Sequence, residues 1–170
     1  PLQDLRMSRA MGGGSLFDLG WYCVGLAIVQ FGELPQLVWG TGRYREEIDM
    51  SFSGWMQFSN DRISSFDCGF DTIMRRWMEI AGTDASLVCD DFTRPWKEDS
   101  PRFWIHDSQG KRSEHRSLGL NQERCMIERF SRIVQSGHRE PFWPQLSLQT
   151  QLVCDALDRS ARTRQTIEIA

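Results

Sequence analysis

The clearest pattern in the chain is a period of two. Ile48, Met50, Phe52, Met56 and Phe58 alternate with Asp49, Ser51, Ser53, Trp55 and Gln57, which predicts a strand with one buried face. Asn60-Asp61 is a turn signal, and Ile63, Phe66, Cys68 and Phe70 return as the partner strand. The parity slips between Ile63 and Phe66 and predicts a bulge there. Gln36–Arg45 reads as the preceding strand. Arg76–Ala81, Ser86–Cys89, Arg102–His106 and Arg112–Arg116 read as further strands, the last two around Ser108-Gln109-Gly110. The sheet therefore occupies residues 36–116.

Helical periods flank it. Residues 1–11 form a polar leading segment, and Gly12-Gly13-Gly14 separates it from a helix over 15–31. Ser15 and Asp18 have capping-box spacing, Trp21, Val24, Ile28 and Phe31 continue the apolar face, and Gly32 and Pro35 end it. A helix over 121–136 opens at Asn121 with an apolar stripe of Met126, Ile127, Phe130, Ile133 and Val134, and stops at Gly137. A helix over 147–163 starts after Pro144. It points Leu148, Leu152, Val153, Ala156, Leu157 and Ala161 inward and Asp155, Asp158, Arg159 and Arg162 outward. Residues 166–169 add a final strand. Strands cluster and helices sit at the ends, so the class is α+β: one domain over 1–170, with an open, twisted, mostly antiparallel sheet and helices on one face.

Composition narrows the function. A chain of 170 residues buries a core without a metal or disulfide staple. A net charge of −3 gives no electrostatic footprint for nucleic acid. No stretch is read as approaching the ~20 apolar residues of a membrane span. The five cysteines form no CxxC pair and the three histidines share no helical spacing, so no metal site is expected. Reduced thiols suit a cytoplasmic protein.

No G-x-G-x-x-G opens a helix after a strand, and no Walker A motif exists, so the chain shows no nucleotide site of its own. Gly40-Thr-Gly42 lacks the third glycine. The informative stretch is Met11–Tyr22. Asp18 and Tyr22 stand at i,i+4 near a helix N-terminus, where a carboxylate and a phenol on one face can bind or polarise a hydroxylated substrate. The plainer alternative is that Asp18 caps its own helix and Tyr22 packs with a satisfied hydroxyl. Trp39, Trp55, Trp77 and Trp104 lie at strand spacing and read as core or interface before sugar stacking. Asp90-Asp91 reads as a solvated turn.

The Gly12–Tyr22 segment resembles the Gly-Gly-Gly-x-Leu-x-Asp-x-Gly-x-Tyr/His stretch of the glucose–fructose oxidoreductase / inositol 2-dehydrogenase / rhizopine-catabolism (Gfo/Idh/MocA) family. Met126-Ile-Glu-Arg-Phe130, Trp143-Pro144 and Leu157-Asp-Arg-Ser-Ala-Arg162 resemble later parts of the same C-terminal domain, and the resemblance covers nearly the whole chain. It implies the substrate-binding half of an NAD- or NADP-dependent oxidoreductase. The half that binds the cofactor, an N-terminal Rossmann domain carrying a Glu-Lys-Pro lysine, is expected to lie outside this chain. Neither Lys97 nor Lys111 replaces that lysine. Asp18 matches the family's acid. Tyr22 falls where many members have histidine, a feature of the branch resembling glucose–fructose oxidoreductase and dihydrodiol dehydrogenase, in which the tyrosine is implicated in proton transfer. Asp4-Leu-Arg6 resembles the family's Asp-Trp-Arg stretch, with Arg6 placed to reach substrate or the other domain.

The resulting expectations are these. Tyr22 and Asp18 are catalytic, and Arg6, Asp18 and Tyr22 bind a sugar, cyclitol or related polyol that undergoes hydride transfer. No residue of this chain binds the cofactor and no metal takes part. The chain pairs with a Rossmann domain of the same protein, forms a homo-oligomer through its open sheet face, touches neither nucleic acid nor membrane, and is inactive alone. A non-catalytic sugar-binding or oligomerisation module with this fold is the alternative, and a ligand binder with a different site is a third reading.

Overall fold

The computed structural model describes residues 4–95, 97 and 100–169. The first three residues of the leading segment and the last residue of the chain lie outside the described residues. The described chain divides into two compact units, one holding residues up to Thr72 with those from Glu140 onward, the other Ile73–Arg139. The class is α+β, as expected, but the strands fall into two four-stranded antiparallel sheets. Alternation predicts strands; it does not say which strands share a ladder.

In the first unit β1 (Leu37–Arg45), β2 (Ile48–Gln57), β3 (Ile63–Gly69) and β8 (Ile167–Glu168) order as β3-β2-β1-β8. The β2–β3 register runs without a slip from Ser51↔Gly69 to Gln57↔Ile63. The expected bulge near Ile63 does not form: Ile63 faces solvent opposite Gln57, and the irregularity lies in β1 between Arg43 and Tyr44. Val38, Phe52 and Met56 point to one face and are buried with Leu16, Val24, Ile28, Val153 and Leu157. Two helices supply that cover, α1 (Trp21–Phe31) and α3 (Phe142–Thr163).

Helix α3 begins five residues earlier than the sequence suggests. Pro144 sits in its first turn, where a missing N–H costs nothing. Its inward face also differs: Leu148 and Leu152 are exposed, whereas Thr150, Cys154, Asp158 and Ser160 are buried. The polar members are satisfied locally. Thr150 Oγ1 donates to the Leu146 carbonyl at 2.8 Å, and Ser160 Oγ donates to the Gln165 carbonyl at 2.6 Å while accepting the Gly40 N–H at 3.0 Å.

The helical run Arg9–Phe31, of mean hydropathy 1.3, is long and apolar enough to cross a membrane by composition. That corrects the expectation that no stretch approaches such a span. Leu16, Val24, Ala27 and Ile28 are buried within the first unit, which makes this its core helix.

In the second unit β4 (Met78–Ala81), β5 (Ala85–Cys89), β6 (Arg102–Asp107) and β7 (Arg112–Arg116) pair in chain order. Asn121 caps α2 (Gln122–Ser136) by accepting the Arg124 N–H at 2.8 Å. The stripe of Met126, Ile127, Phe130 and Val134 forms as expected, but it is exposed. Among the described residues, the fully buried apolar side chains all belong to the first unit.

The start of the first helix decides the rest. Ser15 forms no capping box with Asp18. Instead Asp49, from β2, reaches across: Ser15 Oγ and the Leu16 N–H both donate to Asp49 Oδ2 at 2.7 Å. Asp49 is 2% exposed, and Ile48 and Met50 are buried beside it, so the alternation that would place Asp49 outward breaks at this strand end. Burial pushes its carboxyl above the usual carboxylate range, and the two hydrogen bonds oppose that shift. Ionising Asp49 therefore works against folding: stability is full below the unfolded pKa and is lost as pH rises through the raised folded value. Both donors meet one oxygen, which an amide carbonyl can replace. Asp49→Asn should stay within about 1 kcal/mol of the parent and lose part of the decline in stability above pH ~4. Asp49→Ala, which strands two buried donors, should cost roughly 2–4 kcal/mol. Urea denaturation from pH 4 to 8 reads both.

Candidate active site

The leading segment folds as two short turns, Leu5–Met7 and Arg9–Met11, and closes onto the glycine triplet. The Gly13 N–H donates to the Ser8 carbonyl at 2.8 Å, and the Gly14 N–H to the Arg6 carbonyl at 3.0 Å. Glycine is required at both positions. A Cβ on Gly13 would run into the Arg6 carbonyl, and Gly14 has φ +123° with the Asp49 carboxylate where a Cβ would stand. A second tie comes from Arg9, which meets Asp158 at 2.7 Å, while Arg162 binds the same carboxylate at 3.0 Å. Asp158, expected outward, is buried between the two guanidiniums. The spacing of this helix predicts i,i+4 pairs Asp155–Arg159 and Asp158–Arg162; the second forms, while Asp155 accepts from Gln151 Nε2 at 2.8 Å.

These ties deliver Arg6 to the helix start. Its guanidinium forks onto Asp4, Nε to Oδ1 at 2.9 Å and Nη2 to Oδ2 at 2.7 Å, and its Nη1 lies 3.9 Å from Asp18 Oδ2. The phenyl ring of Phe70 lies 5.9 Å from the Arg6 guanidinium carbon. The fork holds the Asp4 carboxyl below its ordinary range and the Arg6 guanidinium above its own.

Asp18 lies in a π-helical turn, Leu16–Gly20, in which the Trp21 N–H bonds the Leu16 carbonyl. The wider turn makes i,i+4 spacing fall short of one full turn. The structure brings Asp18 to Arg6, and no hydrogen bond joins Asp18 to Tyr22 among the described residues. Tyr22 is 55% exposed, and its hydroxyl has no protein partner among the described residues. Asp18 is partly exposed and its backbone N–H bonds the Gly14 carbonyl at 3.1 Å. All three candidates are thus accessible, and Arg6 and Asp18 stand together. Asp4, named in the Asp4-Leu-Arg6 stretch but given no role there, is the residue that fixes Arg6; its signal is an acid two residues ahead of an arginine, which accepts the Arg6 N–H at 3.1 Å.

The other candidates separate cleanly. Burial pushes the Cys68 and Cys154 thiols up to about 12 and Cys23 up to about 11, so all three stay protonated at neutral pH and are poor nucleophiles. No group of three or more metal-ligating side chains exists among the described residues. Asp91, expected in a solvated turn, is buried and accepts from Cys89 Sγ at 3.3 Å. Trp39 is 42% exposed and pairs across the ladder with Trp55 on the sheet face away from α1 and α3; Trp104 lies beside the Arg102 and Arg112 guanidiniums. The glycine turn at the helix N-terminus has its donors engaged: the Leu16 N–H meets the Asp49 carboxyl, and the Gly13 and Gly14 N–H groups meet carbonyls.

The sequence profile of the GFO/IDH/MocA C-terminal domain matches residues 1–88. An uncharacterised oxidoreductase, ORF334 of Rhizobium meliloti, is 28% identical over 158 residues, 89% of this chain and 47% of that protein. D-xylose 1-dehydrogenase (NADP(+)) 2 of Haloferax volcanii is 23% identical over 177 residues, 98% of this chain and 51% of that protein. The aldose–aldose oxidoreductase of Caulobacter crescentus, solved with glycerol, superposes with a TM-score of 0.85 at 20% identity, over 98% of this chain and 51% of that one. The 3-ketoreductase KijD10 of Actinomadura kijaniata, solved with NADP and TDP-benzene, gives 0.86 at 20% identity, over 94% of this chain and 50% of that one. The structural likenesses show the fold. The chain spans about half the length of the relatives it matches.

The close approach at Gly13 gives a direct test of how Arg6 is placed. Gly13→Ala should cost about 1–3 kcal/mol in thermal or urea denaturation by forcing the leading segment off the helix start. Gly12→Ala meets no atom, and there the strain is only that of φ +75°, so its cost should stay near 1 kcal/mol.

Proposed function

The chain belongs to the GFO/IDH/MocA family through its C-terminal domain, and from that premise we propose that it is the substrate-binding part of an NAD(P)-dependent oxidoreductase acting on a sugar or related polyol. The observation that carries the reading is the accessible trio at the first helix. Arg6 and Asp18 stand 3.9 Å apart and Tyr22 presents a hydroxyl with no protein partner among the described residues. A polyol offers donors and acceptors together, and an accessible carboxylate, guanidinium and phenol in one stretch of chain suit that chemistry.

The reaction class is hydride transfer between a carbinol carbon and a nicotinamide. The engaged N–H groups of the glycine turn support assigning the cofactor to a Rossmann domain of the same protein, and the roles here concern this chain's own groups. Asp18 accepts hydrogen bonds from substrate hydroxyls and orients the sugar. Tyr22 Oη exchanges the proton of the reacting hydroxyl: it takes the proton as the carbonyl forms and returns it in the reverse direction. A cation from the partner domain would favour the phenolate that this requires. Arg6 binds a further hydroxyl at the rim.

Two relatives, a D-xylose 1-dehydrogenase and an aldose–aldose oxidoreductase, support a sugar substrate. The open sheet face, with Trp39 opposite Trp55, supports pairing of two copies there. Five free cysteines suit a reducing, cytoplasmic setting.

The test is turnover of aldoses with NAD+ and NADP+ by the enzyme that carries this chain together with its nucleotide-binding domain. Tyr22→Phe should lower kcat at least ~100-fold while stability stays within about 0.5 kcal/mol, because the side chain is exposed. Unchanged kcat in Tyr22→Phe removes the tyrosine from the chemistry. Absence of turnover on every aldose and cyclitol offered contradicts the oxidoreductase reading.

A further inference from the structure

The charge of the site follows from where each cation is spent. The leading segment contains two cations, Arg6 and Arg9, and no Lys or Arg occurs again until Arg43. Arg9 is held by Asp158 at 2.7 Å. Arg43 is paired with Asp71. Arg6 alone of these reaches Asp18, and it does so with its Nε and Nη2 edge already forked onto Asp4. The helix N-terminus, a further source of positive potential, is filled by the Asp49 carboxylate. Asp4 and Asp18 thus set two carboxylates against the one guanidinium of Arg6.

Resting on the reading above, we propose that Asp4 is a specificity-determining residue. By engaging the Arg6 guanidinium in an internal fork it makes the site a receptor for uncharged polyhydroxyl substrates and excludes phosphorylated or carboxylated ones. Without Asp4, Arg6 would present a full bidentate edge, the geometry that captures carboxylate and phosphate groups. With Asp4 in place, that edge is occupied, and an incoming anion meets Asp4 and Asp18 as like charges. Asp4 acts through Arg6: it also accepts the Arg6 N–H at 3.1 Å, which fixes the turn that carries the arginine.

The experiment compares neutral and phosphorylated members of two sugar pairs, D-glucose with D-glucose 6-phosphate and D-xylose with D-xylose 5-phosphate, using the enzyme that carries this chain with its nucleotide-binding domain. The parent should prefer the neutral member by at least ~10-fold in kcat/KM, the scale of one unfavourable like-charge contact. Asp4→Asn keeps the cap acceptor and removes the charge; it should narrow the preference by roughly 10-fold, through KM for the phosphorylated sugar, and Asp4→Glu should restore it. A purely structural role for Asp4 would shift both members alike. Preference of the parent for the phosphorylated sugar, or a ratio unmoved in Asp4→Asn, overturns the inference while leaving the oxidoreductase reading standing. Failure to turn over any sugar defeats both.

Discussion

The structure depends on one buried carboxylate. Asp49 Oδ2 takes the Ser15 hydroxyl and the Leu16 N–H, each at 2.7 Å, and so closes the N-terminus of the core helix from a strand more than thirty residues away. Helix starts leave several N–H groups without partners, and burying one unsatisfied is costly. Here the donor is met by a charge that is itself 2% exposed. The arrangement locks helix to sheet at the point where the candidate site begins. It also fills the helix terminus, so the Leu16 N–H is not open to another acceptor.

A second set of contacts works outward from that lock. The glycines that let the leading segment lie against the helix start bring Arg6 to Asp18, and the Arg9–Asp158–Arg162 cluster pins the same segment to α3. The π-turn over Leu16–Gly20 is stabilised at its far side by close packing: Gly20 sits against Phe66 and Cys68 of β3. Constraint on the buried side and freedom on the exposed one are what a binding surface needs: rigid backbone with uncommitted side-chain atoms. Tyr22, exposed and unpartnered among the described residues, is the plainest case.

Much of this was legible in the sequence. The alternation of Ile48 to Phe58 gave β2, Asn121 gave the cap of α2, and the Gly12–Tyr22 stretch gave both the family and the candidate residues. What escaped depends on contacts between distant parts of the chain. Ser15 looked like half of a capping box with Asp18, but its true partner is Asp49, which alternation placed outward. A π-turn alters the residue count per turn, so spacing alone linked Asp18 to Tyr22 when the nearer charged group is Arg6. The apolar stripe of α2 was read correctly as a stripe, yet periodicity carries no information on what covers it. The division into two sheets is likewise a matter of which ladders form, which strand patterns do not encode.

On the proposed function, a sugar binds at the accessible groups of the first helix start. A crystal structure of the enzyme that carries this chain, with its oxidised cofactor and a slowly reacting polyol, is the sharpest test. Polyol hydroxyls should lie within hydrogen-bond distance of the Asp18 carboxylate and Tyr22 Oη, with Arg6 still forked onto Asp4. A polyol seated elsewhere, with Asp18 and Tyr22 touching only solvent, would contradict that reading.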